Sequence, residues 1–263
     1  MQIAIVDADS IYFRAAMSNQ KTFEIRSMID TMMLDIQAQC FSDVTRVAVK
    51  GKDNFRHGLY PDYKKNRPDL APEIRKALNY GHEYMKDKWE GIQADGMEAD
   101  DLCAIWAYEA RELEYPYVIC GIDKDLKQIP GNHYNYNKKV HDFVDDDTAN
   151  LNLMLQCLTG DTADNIPGLK GIGPVKAGKI LAGVPMARRW SRVRAAWRRH
   201  GAGSPELSWR LLKMLESFDE LEEIRKECEQ KKIVDLTRGK SNSGFTASPS
   251  QSTQPTSGSE EGM

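Results

Sequence analysis

The chain has no long apolar run, no CxxC pair and no large excess of either charge. Without an apolar stretch of about twenty residues, no membrane-spanning helix is expected. The five cysteines (Cys40, Cys103, Cys120, Cys157 and Cys228) are scattered, which argues against a zinc site and a disulfide framework and fits a reducing compartment. A net charge of -3 gives no bulk attraction to nucleic acid, so any such contact must come from local patches. The N-terminus runs straight into a strand-like segment, so no signal peptide is expected. A soluble, cytoplasmic protein, with no membrane partner, is the reading. Within 263 residues, 41% of them hydrophobic, one large or two smaller domains can bury a core.

What is present begins with Ile3–Val6, a short apolar run ending in Asp7, read as a buried parallel strand with a carboxylate at its C-terminal end. Residues 23–41 carry helical periodicity, 44–49 read as a second strand, and 72–88 as a helix with Pro72 near its start. Residues 97–113 read as a helix with Glu98, Asp100 and Asp101 in its first turn. Residues 115–120 form a further strand, followed by Asp123 and Asp125; two short strands are expected at 133–136 and 139–143. Asp145–Asp147 read as a cap on a helix over 150–158, and beyond it the chain reads as helical.

Three stretches carry chemistry. Residues 54–67, NFRHGLYPDYKKNR, interleave aromatic and basic residues, a composition suited to stacking on bases and pairing with phosphates; the alternative is a loop whose tyrosines pack on their own domain. Residues 160–181 place Asp161 and Asp164 at a helical turn's spacing, then a glycine hairpin (Gly168, Gly171, Gly173) leading into Pro174 and a helix. That helix start suits a phosphate, although a helix–turn–helix connection with an acidic cap reads the same stretch. Residues 186–200 hold Arg188, Arg189, Arg192, Arg194, Arg198 and Arg199 with no acid, a one-signed patch that favours a phosphate backbone.

On a parallel sheet, Asp7, Glu98, Asp100, Asp101, Asp123, Asp125, Asp161 and Asp164 would converge on one edge. Their repulsion calls for cations, and all-oxygen donors select Mg²⁺ or Mn²⁺. Two such ions about 4 Å apart can clamp a phosphodiester and activate water.

These motifs, in this order, resemble the 5′-nuclease family: flap endonucleases, phage 5′–3′ exonucleases and the 5′-nuclease domain of bacterial DNA polymerases. IVDAD, FRHGLYPDYKKNR, EADD, DKD, GDTADNIPG and GLKGIGPVKA carry the resemblance. It implies an α/β fold: a central, mostly parallel sheet flanked by helices (PIN-like), followed by a helical helix–hairpin–helix subdomain. The implied layout is a catalytic domain over 1–145 with an arch segment at about 52–90. A DNA-binding subdomain over 146–236 would follow, its helix–hairpin–helix at 160–182, and then a disordered tail over 237–263. The eight carboxylates above are the implied metal ligands. Lys64, Arg67 and Arg14 are the implied catalytic cations, and Arg56, Tyr60, Tyr63, Lys65, Gly171, Gly173, Lys176, Lys179, Arg188 and Arg192 the DNA contacts. The implied activity is metal-dependent 5′–3′ exonuclease or flap endonuclease cleavage by two Mg²⁺ or Mn²⁺ ions, with a K⁺ at the hairpin. The implied substrate is DNA with 5′ flaps, ends or nicks, with an RNA primer as a further candidate. A stand-alone monomer of phage type, working in the host cytoplasm, is expected.

One feature departs from the family. Its usual Asp after the second strand is absent, the window reading Val49, Lys50, Gly51, with Asp53 close by. Two rival readings remain at this stage. A haloacid-dehalogenase-like phosphatase would use Asp7 and Asp9 and place both in one cleft, whereas the nuclease reading leaves Asp9 as a cap on the next helix. A DNA-binding accessory protein with lapsed catalysis is the other.

Overall fold

The computed structural model describes residues 1–18 and 21–241. In chain order the elements are β1 (Ile3–Asp7), α1 (Asp9–Ser18), α2 (Thr22–Cys40), β2 (Val44–Lys50), α3 (Phe55–Leu59), α4 (Pro72–Trp89), β3 (Ile92–Ala94) and α5 (Ala99–Glu112). They continue with β4 (Tyr117–Cys120), a 3₁₀ turn (Asp125–Gln128), β5 (Gly131–Asn135), β6 (Val140–Val144), α6 (Asp146–Thr159), α7 (Pro174–Leu181), α8 (Met186–Arg199), α9 (Glu206–Leu212) and α10 (Phe218–Ser241). Among the described residues no helix is long and apolar enough to cross a membrane.

One six-stranded sheet, ordered β3-β2-β1-β4-β5-β6, is parallel except for β6. Every residue of β1 is buried, as a central strand covered on both faces requires. On one face α1, α2 and α4 pack through Ile11, Ile25, Ile29, Met33 and Met85. On the other, α5 packs through Leu102, Ile105 and Trp106, joined by Met214, Leu215 and Leu221 from the α9–α10 region. A third cluster unites α6, α7, α8 and α9 around Leu158, Leu181, Val193, Trp197 and Leu211.

Local signals account for most element ends. Asp145 caps α6 by accepting from the Thr148 N–H at 2.7 Å, and Pro72 opens α4. Three expectations are corrected. Residues 52–90 are not an arch standing clear of the sheet: α4 is a layer helix with Met85 fully buried. Strand β3 was not expected, since three residues carry no readable alternation. The last helix runs to Ser241, past the start of the expected tail; the rest of that tail lies outside the described residues.

The buried His133 of β5 (4% exposed) sets its Nε2 2.8 Å from the Ile129 carbonyl oxygen. Burial pushes its pKa down to about 4. The folded state therefore keeps it neutral while the unfolded chain takes up a proton near pH 6.5, so its stabilising contribution is intact above about pH 6.5 and shrinks as pH falls toward about 4. Between neutrality and about pH 5 the protein should lose roughly 2 kcal/mol more stability than His133→Gln does, read as the difference in urea unfolding. Equal losses in the two proteins would refute this.

Candidate active site

Strand order reverses between β1 and β4, so their connections leave in opposite directions and open a crevice at the C-terminal edge. Asp7 is the last residue of β1 and is 5% exposed. Burial, then the charge of Asp9, push its pKa up to about 8. Asp123 and Asp125 follow β4. Burial, then the charge of Asp123, raise Asp125 to about 6, and its carboxylate accepts from the Gln156 amide.

Helix α5 begins at the same edge. Its N-cap, Glu98, exchanges side-chain and backbone hydrogen bonds with Asp101 in a capping box. The Glu98 carboxylate accepts from Asn54 Nδ2 at 2.9 Å and the Tyr63 hydroxyl at 3.2 Å, and pairs with Lys64. Asp100 has its pKa raised by burial and then by Glu98, and no side-chain cation is paired with it among the described residues.

Asp161 and Asp164 arrive on a tight loop rather than the expected helical turn. Asp161 and Ile166 exchange backbone hydrogen bonds (3.0 and 2.7 Å) that close it. Gly168 anchors the loop's return, since a Cβ there would lie 2.2 Å from the Thr159 carbonyl carbon. Asp164 pairs with Arg67 and lies 3.6 Å from the Lys64 ammonium. Lys64 itself holds a left-handed backbone (φ 58°), uncommon for a non-glycine residue, fixed by its N–H donating to the Asp164 carbonyl at 2.9 Å. Burial opposes ionisation of Asp161, but the Lys124 ammonium 2.6 Å away outweighs it and holds the pKa low.

Of the eight expected carboxylates Asp101 stands apart: its hydrogen bond to Glu98 is the capping box, and its carboxylate is turned to Arg56. Asp101 is fully buried and closed off by Arg56. Arg56, expected on DNA, is itself 3% exposed. Tyr63, expected to stack on a base, is 3% exposed and packs with the helical cluster, while Tyr60 is half-buried there. Arg14 lies outside the network, exposed on α1 in a groove with Phe23, Tyr136 and Asn137. Lys65 is exposed and pairs with Asp62.

In the helical half, Gly171 has φ 76°, and both it and Gly173, the N-cap of α7, have open space beside them. Lys179 is exposed, and Lys176 donates to the Gly171 carbonyl at 2.8 Å, covering an oxygen that the expected K⁺ would use. Arg188, Arg192, Arg194, Arg198 and Arg199 are exposed, whereas Arg189 turns inward onto Asp147.

Sequence reasoning missed Lys124 and Asn54, and took Asp9 as a helix cap. Lys124 was legible as the cation between two aspartates of DKD. Asp9 does not cap α1: its Oδ1 accepts from the Lys50 N–H at 2.8 Å and the Tyr12 hydroxyl at 2.7 Å. That puts a carboxylate at the end of β2, where the sequence lacks one. Asp53 is exposed with φ 60° and does not fill that position.

The donors are all oxygen, and Asp7 and Asp100 must ionise against desolvation and repulsion with no salt bridge on either among the described residues. That suits a hard divalent cation. Among the described residues no three of these groups stand as a ready ligand cage; Glu98, Asp164 and Asp161 are held by Lys64, Arg67 and Lys124 instead.

A doubly wound sheet with an acidic crevice at its switch point defines the class. Residues 2–152, more than half of the chain, match the family described as "5'-3' exonuclease, N-terminal resolvase-like domain". The chain belongs to this 5′-3′ exonuclease family. It is 26% identical over 201 residues to DNA polymerase I of Pseudomonas aeruginosa, covering 69% of the chain and 22% of that protein. It is 31% identical over 140 residues to flap endonuclease Xni of Shewanella sp. (strain MR-4), covering 49% and 53%. The chain therefore spans about half of that endonuclease and less than a quarter of the polymerase. In fold it resembles the T5 5′-exonuclease solved with zinc bound (TM-score 0.67, 21% identity, 88% of this chain and 99% of that one). The family match takes in both Asp7 and Asp9. Asp9 does stand beside Asp7, as the phosphatase reading required, but the family that matches these residues is the exonuclease one.

Without metal, folding holds the Asp7 carboxyl un-ionised near neutral pH, a cost that Asp7→Asn removes while keeping an oxygen for the Asp9 N–H. In EDTA the variant should melt higher than the parent by about 4 °C, and excess Mg²⁺ should erase the difference. A lower melting temperature in EDTA would overturn this reading of Asp7.

Proposed function

We propose that the protein is a metal-dependent 5′–3′ exonuclease or structure-specific flap endonuclease acting on DNA phosphodiester bonds. The observation that carries the reading is the acidic crevice itself: Asp7, Glu98, Asp100, Asp123, Asp125, Asp161 and Asp164 lie around the switch point of the sheet, and among the described residues the buried Asp7 and the half-buried Asp100 form no salt bridge. Asp7, Glu98 and Asp100 would hold one Mg²⁺ or Mn²⁺, and Asp123, Asp125, Asp161 and Asp164 a second. Bound there, the ions would supply an activated water and neutralise the leaving oxygen.

The chain's own residues do the rest. Lys64 and Arg67 sit on Glu98 and Asp164, where they border the crevice and can reach a phosphate entering it. Lys124, on Asp161, is a third such cation. Pairing with carboxylates in the absence of substrate offsets part of the negative charge at the edge. The open hairpin at Gly171–Gly173 and the exposed α8 arginines would hold duplex backbone away from the crevice. A substrate with a 5′ flap, end or nick, or a primer of RNA, offers both duplex and a free strand. A monomer in the compartment that holds DNA suffices for this.

Cleavage of a labelled 5′-flap duplex in Mg²⁺, abolished by EDTA, is the expected result. No cleavage by pure protein would sink the assignment and favour a DNA-binding protein without catalysis. Lys64→Ala should lower kcat by about tenfold or more with a smaller change in duplex affinity; normal cleavage would remove Lys64 from the mechanism. Arg188→Ala with Arg192→Ala should weaken duplex binding and lower its salt slope by about two phosphate contacts, leaving kcat near that of the parent. An unchanged slope would take α8 off the duplex.

A further inference from the structure

Arg56 and Asp101 form the most deeply buried ion pair among the described residues, their side chains 4% and 0% exposed. Both oxygens of Asp101 are saturated. Oδ2 accepts from Arg56 Nη1 at 2.5 Å and the Glu98 N–H at 3.0 Å; Oδ1 accepts from Arg56 Nη2 at 2.9 Å and the Leu215 N–H at 3.3 Å. A carboxylate has about four lone-pair sites, so none is left for a metal ion. Arg56 is equally committed, its Nε donating to the Leu211 carbonyl at 2.7 Å and its Nη2 to the Lys213 carbonyl at 3.2 Å. One Nη1 N–H of its five donors is left over, but at 3% exposure Arg56 offers no donor face to a phosphate outside.

We propose that Arg56 and Asp101 are a positioning pair, a buried clamp that fixes the first turn of α5 and so aims Glu98 and Asp100 into the crevice. Three pieces of chain distant in sequence meet on this one pair: α3, the start of α5, and the connection after α9. The Glu98 N–H is held by Asp101, and its carboxylate is steadied by Asn54 two residues before Arg56. The clamp therefore grips Glu98 from both ends. An ordinary N-cap would satisfy the helix start with one short side chain; a fully desolvated bidentate pair is far more costly to bury, and breaking it leaves an uncompensated charge. It also links the crevice to the C-terminal helices, since Lys213 and Leu215 lie in the connection between α9 and α10.

The test is a double-mutant cycle on the full-length protein, with Asp101→Asn, Arg56→Gln and the R56Q/D101N double, in which an amide pair replaces the ion pair without leaving a lone charge. Mn²⁺ binding is counted by electron paramagnetic resonance, cleavage is resolved into kcat and KM, and folding is checked by urea unfolding. The single variants should bind Mn²⁺ more weakly and lose kcat in the folded fraction, with little change in KM or in the salt slope of DNA binding. The double should regain kcat by about tenfold or more over Asp101→Asn, with the parent's ion count. A metal-ligand role for Asp101 predicts that the double stays as impaired as the single, and a merely structural role predicts unchanged kcat and Mn²⁺ affinity in every folded variant; either result overturns the proposal. Arg56→Lys sharpens the arginine arm. A phosphate contact would survive it, whereas one ammonium cannot span both Asp101 oxygens and two carbonyls, so kcat should fall with the salt slope unchanged; a reduced slope would overturn the proposal. Should the single variants fail to fold, the ion count of the double decides: the parent's count supports the clamp and a lost ion overturns it. The kinetic arm rests on the nuclease reading, whereas the ion count and salt slope do not, so failure of one is distinguishable from failure of the other.

Discussion

Like charges gathered at one poorly hydrated edge repel each other and resist ionisation, and much of this structure is arranged around that cost. Asp7, Asp9 and Asp100 all have their pKa values raised, in each case first by burial. A fold with a free choice would not collect such groups. Here the sheet topology collects them, because strand ends and helix starts on both sides of the β1/β4 reversal point the same way. What offsets the repulsion differs by position. Lys64, Arg67 and Lys124 neutralise Glu98, Asp164 and Asp161, while Asp7 and Asp100 form no salt bridge among the described residues and accept from the backbone N–H groups of Asp9 and Asp101.

The rest of the molecule is a frame for that edge. The two layer cores hold β1 rigidly, so Asp7 cannot retreat into solvent. The Asp161–Ile166 loop is closed by its own hydrogen bonds and docked on residues 62–66 through Asn165, whose amide donates to the Asp62 carbonyl at 2.8 Å, and through the Lys64 N–H. The segment that brings the cations and the loop that brings two carboxylates are thus one packed unit. Tyr63 is its rivet, donating to Glu98 and Asp164 from a buried position. That explains why an aromatic in so basic a stretch is not left free to meet a base.

Legibility in the sequence followed the range of the interactions. The buried strand ending in Asp7, the capped acidic start of α5, the glycine hairpin and the arginine-rich α8 are all written in neighbouring residues. Periodicity and capping are properties of a few consecutive side chains. The short β3, three residues between glycines at 91 and 96, carries too little pattern to read. Within the acidic motif EADD, the four letters look equivalent. Helical geometry points Asp100 and Asp101 in different directions, and only the packing of α3 and the α9–α10 connection makes one of them a buried partner of arginine.

By itself, then, the sequence determined most of the elements, the acidic edge and the family, because those depend on local composition and on residue types in order. Only the tertiary structure decided which charges are spent inside the protein. Arg56 and Asp101 are held in a buried ion pair, the buried Arg189 is spent on the exposed Asp147, and Asp9 stands at the end of β2 through its bond to the Lys50 N–H. Those outcomes depend on partners 41 to 45 residues away in the chain, and no periodicity records a partner at that distance. A charged side chain reads the same whether it faces solvent or a buried counter-charge, and desolvation, which separates the two cases, exists only once the chain has folded.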